Sequence, residues 1–236
     1  MNNEYLYSVL NSMGIPCDKD LIDKLHVFYE MLLEKNKEMN LTSITSYEDV
    51  MKKHFADSLA VLKFHMIQKE DKVLDLGTGG GFPGIPLKIF LPETQFMLVD
   101  SVNKKLEFIR SVIERFKFTR IEVKHGRAEE LAKEPSFREQ YDLVLSRAVA
   151  SLPVLSELAL GFVKEGGLFI SYKGSAGRDE AATAEKAVST MGAETEAIND
   201  YELPGGDKRC LIFIRKTTHT PDNYPRKAGL PSKRPL

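Results

Sequence analysis

The chain has few cysteines, no long apolar run and almost no net charge. Its two cysteines, Cys17 and Cys210, are far apart and match no metal-ligand spacing, so we expect free thiols and no structural disulfide. No apolar run approaches the roughly 20 residues that a membrane-spanning helix needs. The N-terminus lacks the basic-then-apolar layout of a signal peptide. These absences predict a cytoplasmic protein with no membrane partner and no metal site.

The net charge of -1 does not by itself indicate a nucleic-acid-binding protein. The charge is, however, unevenly distributed, because Asp222 is the only acid from residue 208 to the end. The basic residues of this region are Lys208, Arg209, Arg215, Lys216, Arg226, Lys227, Lys233 and Arg234. Such a local excess of positive charge is compatible with a contact to a polyanion.

Residues 72–86, KVLDLGTGGGFPGIP, contain an apolar strand that runs into a cluster of glycines. Glycines such as Gly77 and Gly79 let the backbone turn sharply and let a ligand approach closely. The next predicted strand ends in Asp100, which is placed to accept hydrogen bonds from a ribose diol. The pattern predicts a nucleoside-cofactor site on a doubly wound α/β sheet, although a merely structural tight turn remains an alternative.

The charge of Asp75 narrows the choice of cofactor. Residues 79–84 match the G-x-G-x-x-G dinucleotide pattern, but that pattern alone is weak. A carboxylate at Asp75 would oppose a pyrophosphate, and Pro83 and Pro86 remove N–H groups that a phosphate would use. A cationic ligand fits better, so we favour S-adenosylmethionine (SAM) over NAD. An NAD-dependent dehydrogenase stays open as an alternative, which direct titrations of SAM and NAD would separate.

Composition and periodicity divide the chain into three parts. Residues 1–66 form a helical extension, with a second helix predicted at 47–64. Residues 67–216 alternate strands with helices, which is typical of a parallel sheet. Residues 217–236 form a basic tail rich in proline, which we expect to be extended or ordered only on a partner.

The predicted strands end in a hairpin. Strands are predicted at residues 73–76, 96–100, 120–124, 141–146, 167–173, 195–203 and 208–215. The sequence Pro204-Gly205-Gly206-Asp207 joins the last two as a hairpin. A mostly parallel seven-stranded sheet closed by an antiparallel hairpin is the Rossmann-like arrangement of SAM-dependent methyltransferases and differs from that of dehydrogenases.

Three candidate residues follow later strands. Ala128 and Glu129 come after the third strand, where Glu129 could meet an adenine amine or simply start a helix with a favourable acid. Arg147 ends the fourth strand at the rim where ligands bind. It could bind the methionine carboxylate of SAM, contact RNA, or form a surface salt bridge.

Two other groups of residues have competing interpretations. Tyr172 could stack on a base and Lys173 could meet a phosphate, or the tyrosine could pack on the core. His54, Asp57 and Ser58 share one helix face but lack the exposed turn and oxyanion hole of a hydrolase. We expect them to close over the cofactor or to form a hydrogen-bond network between helices.

Several motifs together resemble one family. They are NLT at 40–42, H-x-x-DS at 54–58, D-x-G-x-G-x-GFPG at 75–84, VDS at 99–101, RAE at 127–129, SRAVA at 146–150 and YPRK-x-G-x-P-x-K at 224–233. Across nearly the whole length, the chain resembles the bacterial 16S rRNA guanine-N7 methyltransferases, also called the glucose-inhibited division protein B family. The GFPG extension and the PRK-x-G tail are specific to that family, whereas the glycine loop alone is common.

This resemblance implies a methyltransferase domain behind a helical extension, with 16S rRNA or the small ribosomal subunit as partner. It implies SAM contacts at Gly77, Phe82, Ala128, Glu129 and Arg147, with Asp100 on the ribose. The RNA-binding candidates are Tyr172, Lys173, Arg226, Lys227 and Lys233, the last three on an arm beside the active site. We expect a monomer. A methyltransferase of another RNA or a small molecule, and a non-catalytic SAM-binding RNA module, remain alternatives.

Overall fold

A seven-stranded sheet forms the centre of the computed structural model, which describes residues 3–236, with strand order β3-β2-β1-β4-β5-β7-β6. β1 to β5 pair in parallel, and β7 pairs antiparallel with both β5 and β6. The predicted mostly parallel sheet with a terminal hairpin is confirmed. The strands are β1 Lys72–Leu76, β2 Gln95–Asp100, β3 Ile121–His125, β4 Tyr141–Arg147, β5 Val163–Gly174, β6 Ala193–Leu203 and β7 Asp207–Lys216.

Helices cover both faces of the sheet. The regular helices are α1 Asn3–Ser12, α2 Lys19–Asn36, α3 Tyr47–Asp49, α4 Asp57–Leu59, α5 Gly84–Phe90, α6 Asn103–Phe116, α7 Ala128–Leu131, α8 Leu152–Leu160, α9 Gly177–Thr190 and α10 Leu230–Lys233. None of the helices within the described residues combines the length and apolarity that a membrane crossing requires.

The strands are apolar on both faces because successive side chains point to opposite sides of a buried parallel sheet. In β1, Val73 packs into a core with helices α1, α2, α5 and α6, whereas Leu74 packs into a core with α8 and α9. The first core joins the N-terminal helices to the sheet without a break. Phe28 of α2 anchors this junction, with its ring 5.4 Å from that of Phe82 in the glycine loop.

The predicted helix at 47–64 is present but irregular. Ser46 caps its start by accepting a hydrogen bond from the Asp49 N–H. A π-helical turn, Val50–Ala56, lies between α3 and α4, and a 3-10 turn, Ala60–Lys63, ends the segment. π-helical turns are often found at functional sites, and this one carries Lys53 and His54 to the edge of a cavity.

The C-terminal tail differs from its prediction, because residues 217–236 fold back over α8. We call this segment the C-terminal strap. Arg138 donates hydrogen bonds to the carbonyls of Thr220 at 2.6 Å and Tyr224 at 2.9 Å, and Glu139 accepts one from the Thr220 N–H at 2.7 Å. The strap is ordered by partners on segments far away in sequence, which composition does not reveal.

Candidate cofactor site and adjoining cavity

A cavity of about 360 Å³ opens at the carboxyl ends of β1 to β4, the position at which α/β sheets bind ligands. We call it the cofactor cavity. The sequence-predicted residues Gly77, Asp100, Ala128 and Glu129 all line it. Ser232 of the C-terminal strap, which the sequence does not single out, lies in the same wall.

Asp100 joins the glycine loop to the end of β2. Its carboxylate accepts hydrogen bonds from the N–H groups of Gly79 at 2.9 Å and Val102 at 2.8 Å. These donors compensate for burial of the carboxylate, whose residue is only 7% exposed. The carboxylate oxygens retain lone pairs that a ligand hydroxyl could use, since each accepts a single hydrogen bond from the described residues.

Gly77 is the point at which the backbone comes closest to a neighbouring loop. It has a φ of +74°, and a Cβ built there would lie 2.4 Å from Cγ2 of Val149. Both the left-handed backbone and the close approach therefore require glycine. Gly79 has a similar φ of +57° but no side-chain atom near its Cβ position.

We expect Gly77→Ala to weaken SAM binding and to destabilise the protein more than Gly79→Ala does. Both substitutions carry the strain of a left-handed alanine, on the order of 1–2 kcal/mol. Only the first also displaces Val149 from the cavity wall. Calorimetric titration with SAM and thermal unfolding of both variants measure the difference. Equal losses in the two variants would mean that the contact with Val149 has no role.

Glu129 lies in the first turn of α7 and is 9% exposed. Its Oε1 accepts a hydrogen bond from the Gly229 N–H of the C-terminal strap at 2.9 Å. Within residues 3–236, its Oε2 has no hydrogen-bond partner. The carboxylate is thus fixed by one oxygen at the wall of the cofactor cavity.

Asp75 does not line either cavity described here, contrary to the sequence argument that it opposes a phosphate of the ligand. Its carboxylate is fully buried and turned into the glycine loop, where it accepts hydrogen bonds from the Thr78 hydroxyl at 2.7 Å and the Gly84 N–H at 2.9 Å. Desolvation raises the pKa of Asp75 to about 6. Its role in this structure is to shape the loop.

A second cavity of about 660 Å³ adjoins the first, and we call it the adjoining cavity. The two share Ala148, Val149 and Ala150, which we call the 148–150 loop. Its charged lining residues are Lys53, Asp57, Arg147, Lys173, Glu180 and Arg209, so cations outnumber carboxylates. Within the 148–150 loop, Ala148 has a φ of +56°, a backbone conformation that is unusual for a residue with a side chain.

Arg147 lines the adjoining cavity and not the cofactor cavity. Its guanidinium donates hydrogen bonds to Asp57 Oδ2 at 2.8 Å and to His54 Nδ1 at 3.2 Å. It also lies 5.2 Å from the centre of the Phe82 ring. Phe82 lines neither cavity, and its buried side chain stacks on His54. The SAM contacts expected for Phe82 and Arg147 therefore stay predictions, with Arg147 in the lining of the adjoining cavity and Phe82 buried beside it.

His54, Asp57 and Ser58 belong to the hydrogen-bond network that was one of the two expected arrangements. Nε2 of His54 shares a hydrogen bond with the Thr42 hydroxyl at 2.8 Å, and Asp57 accepts one from the Tyr201 hydroxyl at 2.8 Å. Ser58 donates its hydroxyl to a carbonyl of its own helix. The group has no arrangement of nucleophile and base.

The pKa of His54 gives the network a pH signature. Desolvation and then the Arg147 charge lower this pKa from 6.5 to about 3. Between pH 6.5 and about pH 3, His54 is protonated in the unfolded chain but not in the folded one. The contribution of His54 to stability is therefore lost as the pH falls through this range. The raised pKa of Asp75 acts oppositely, because its contribution is present below pH 3.8 and lost as the pH rises through about 6.

We therefore expect His54→Gln to gain stability relative to the wild type as the pH is lowered from 6.5. The relative slope should approach about 1.4 kcal/mol per pH unit, which corresponds to one proton. Urea unfolding of both proteins across this range measures it. Parallel curves would show that His54 titrates alike in the folded and unfolded states.

Tyr172 and Lys173 are both engaged in contacts within the chain. Tyr172 is 3% exposed and donates its hydroxyl to the carbonyl of Ser58 at 2.9 Å, so its ring is not free to stack on a base. Burial raises the pKa of this hydroxyl well above its usual value. The Lys173 ammonium pairs with Glu180 at 2.7 Å and donates to the carbonyl of Ala150 at 2.8 Å. It holds the 148–150 loop, and its contact with an RNA phosphate stays a prediction.

Arg226, another RNA-binding candidate, is also paired within the chain. Its guanidinium forms a two-pronged ion pair with the fully buried Glu157, so it anchors the strap. Lys227 and Lys233 are exposed and stay candidates. Sequence reasoning missed Lys53 and Arg209 in the adjoining cavity, since neither belongs to a ligand motif. In the described part of the chain, no group of three or more metal-ligating side chains could hold a metal ion.

Comparison with solved structures identifies the fold. A putative methyltransferase from Bacillus halodurans superposes with a TM-score of 0.52 at 16% identity, over 69% of this chain and all of that one. The precorrin-6y C5,15-methyltransferase from Geobacter metallireducens gives a TM-score of 0.51 at 14% identity, over 77% of this chain and 95% of that one. These similarities confirm the Rossmann-like methyltransferase fold.

Sequence comparison identifies the family. Residues 21–209 match the family described as rRNA small subunit methyltransferase G. The chain is 44% identical over its full length to the ribosomal RNA small subunit methyltransferase G of Lachnoclostridium phytofermentans, covering 98% of that protein. It is 45% identical over 95% of its length to that of Desulfitobacterium hafniense, covering 93% of that protein. The chain therefore belongs to the rRNA small subunit methyltransferase G family, whose methyl donor is SAM.

Proposed function

We propose that this protein transfers the methyl group of SAM to N7 of a guanine in 16S ribosomal RNA. The observation that carries the proposal is the pair of cavities that meet at the 148–150 loop. One presents the carboxylates expected for a nucleoside cofactor, and in the lining of the other cations outnumber carboxylates. A methyl group passing from one ligand to the other would cross at this loop.

The residues of the cofactor cavity fit SAM. Asp100 has acceptor capacity for both hydroxyls of a ribose, and Glu129 has a free oxygen for an adenine amine. Leu76, Val99 and Leu158 contribute an apolar wall against which an adenine ring could pack. Gly77 brings the backbone close to the bound cofactor without a side chain in the way.

The reaction requires little acid–base chemistry from the protein. SAM supplies a methyl group on a positively charged sulfur. Guanine N7 has an in-plane lone pair and no proton, so no general base is needed. This agrees with the adjoining cavity, where His54 and Asp57 are both engaged in hydrogen bonds with Arg147. The protein would accelerate the reaction by aligning the two ligands and excluding water.

The cations of the adjoining cavity suit an RNA substrate. Lys53, Arg147 and Arg209 line the space into which a target base would enter. Cationic N–H donors can hold O6, which lies beside N7 on the same edge of guanine, or the neighbouring phosphates. The base must leave its stack to reach this cavity, so we expect a loop or an opened site as the substrate.

Transfer of labelled methyl groups from SAM to purified small-subunit RNA tests this function. Reduction followed by aniline treatment cleaves RNA at N7-methylguanosine, so the labelled product should break at one guanine. A label that resists cleavage, or that maps to ribose or to a pyrimidine C5, would contradict the N7 assignment. No transfer despite SAM binding would support a non-catalytic SAM-binding module. Transfer to another RNA or a small molecule would change the substrate class.

The oligomeric state, the cellular location and the form of the RNA substrate belong to the same proposal. We propose that the protein acts as a monomer in the cytoplasm, on the small ribosomal subunit or on an assembly intermediate. Comparing naked RNA, assembly intermediates and mature subunits as methyl acceptors would identify the stage. A sedimentation measurement would test the monomer.

A further inference from the structure

The C-terminal strap reaches the wall of the cofactor cavity. Gly229 donates its N–H to Glu129 Oε1 at 2.9 Å, although the two residues are 100 positions apart. Ser232, three residues further, lines the cavity together with Glu129. A segment that composition assigns to an RNA-binding arm therefore contacts the residue expected to hold the cofactor. We infer that the C-terminal strap is a positioning element of the cofactor cavity that fixes Glu129 for SAM.

The contact limits the freedom of Glu129. A free glutamate side chain samples many rotamers, and fixing it on ligand binding costs conformational entropy. The Gly229 N–H holds Oε1 before any ligand binds, whereas Oε2 has no hydrogen bond within residues 3–236. Pre-ordering one oxygen leaves the other available to a donor on the cofactor and lowers the cost of binding.

The strap is built to make this contact. Gly229 has a φ of +78°, a left-handed conformation that suits glycine at the turn into α10. Just before it, the Arg226–Glu157 pair anchors the strap to α8. Since this anchor lies outside residues 228–236, the contact can be removed while the anchor is kept.

The inference rests on the proposed function, because it assumes that the cavity holds SAM. Its test is therefore a binding measurement with S-adenosylhomocysteine, the product of SAM, by calorimetry. We compare the full chain with a chain truncated after Lys227. Truncation should raise the Kd about tenfold, the loss expected for one favourable hydrogen bond to a charged group.

The matched control keeps the strap backbone and removes its exposed Lys and Arg charges. The triple variant Lys227→Ala, Lys233→Ala, Arg234→Ala should bind S-adenosylhomocysteine like the wild type. A double-mutant cycle then tests whether the strap acts on ligand binding through Glu129. If it does, truncation should have little further effect on the Kd in a Glu129→Ala background. Additive losses would show that the strap acts independently of Glu129 and would overturn the inference.

Hydrogen exchange on the full chain covers the case in which truncation unfolds the protein. Saturating S-adenosylhomocysteine should slow exchange of the peptide that contains Gly229, because a ligand bound to Glu129 Oε2 would further stabilise the hydrogen bond that protects the Gly229 N–H. Unchanged exchange there, or an unchanged Kd in a folded truncated chain, would overturn the inference. If the full chain itself does not bind S-adenosylhomocysteine, the proposed function fails instead.

Discussion

Replacing Arg226 by alanine should lower the free energy of unfolding by about 3–5 kcal/mol. Its guanidinium contacts Glu157 through Nε at 2.9 Å and Nη2 at 2.5 Å, and its backbone N–H donates to the same carboxylate at 2.7 Å. Glu157 is fully buried. Removal of the guanidinium would leave a buried carboxylate without its countercharge, which is more costly than losing the pair itself.

Urea unfolding at neutral pH measures this loss. Arg178→Ala is the matched control, because Arg178 forms an equally close ion pair with Asp200 in which both side chains are more than half exposed. Solvent screens such a pair, so its removal should change stability far less. Replacing Arg226 and Glu157 together by methionine should recover part of the loss. Similar effects of Arg226→Ala and Arg178→Ala would contradict the burial argument.

Asp100→Ala should weaken SAM binding by about 1–3 kcal/mol, roughly ten- to hundredfold, the scale of hydrogen bonds to a charged group. The carboxylate is expected to bind the ribose diol, and it also holds the Gly79 and Val102 N–H groups. The substitution would remove the hydrogen bonds to the ribose and those to the two backbone N–H groups. Both changes affect the cofactor cavity, because the glycine loop and β2 form adjacent parts of its wall.

Calorimetric titration with SAM measures the effect, and thermal unfolding shows whether the variant is folded. Asp71→Ala provides a control for removing an aspartate that accepts a backbone N–H, because Asp71 accepts one from Gln68 at 2.7 Å in an exposed turn. Asp71 lines neither cavity, so its removal should not alter SAM affinity. Unchanged affinity in a folded Asp100→Ala protein would be evidence against the ribose assignment.

Local sequence patterns predicted the strands because their residues are apolar and bounded by turn residues. β1 was expected at 73–76 and runs Lys72–Leu76, and the hairpin between β6 and β7 lies where its glycines predict a turn. β5 begins earlier than its apolar run, at Val163, because pairing with Tyr141 of β4 extends it through polar residues. Such pairing depends on a partner strand and leaves no local signal.

The placement of individual side chains in the site was less predictable. The sequence places three residues at or near the ends of strands, at the edge of the sheet where ligands bind. They are Asp75, Arg147 and Tyr172. The structure turns Asp75 into the glycine loop, buries Tyr172 against the helical extension and ties Arg147 to Asp57. Each outcome depends on a partner contributed by another part of the chain.

The sequence by itself determined the order of strands and helices, the glycine loop and the acid at Asp100. These features depend on short-range backbone preferences and on alternation of apolar residues, which neighbouring residues specify. Only the tertiary structure decided that the C-terminal strap packs against α8 and that Gly229 meets Glu129. Composition cannot reveal that Arg226 of this basic segment is paired within the chain, because its countercharge, Glu157, lies on a distant segment that only folding brings close.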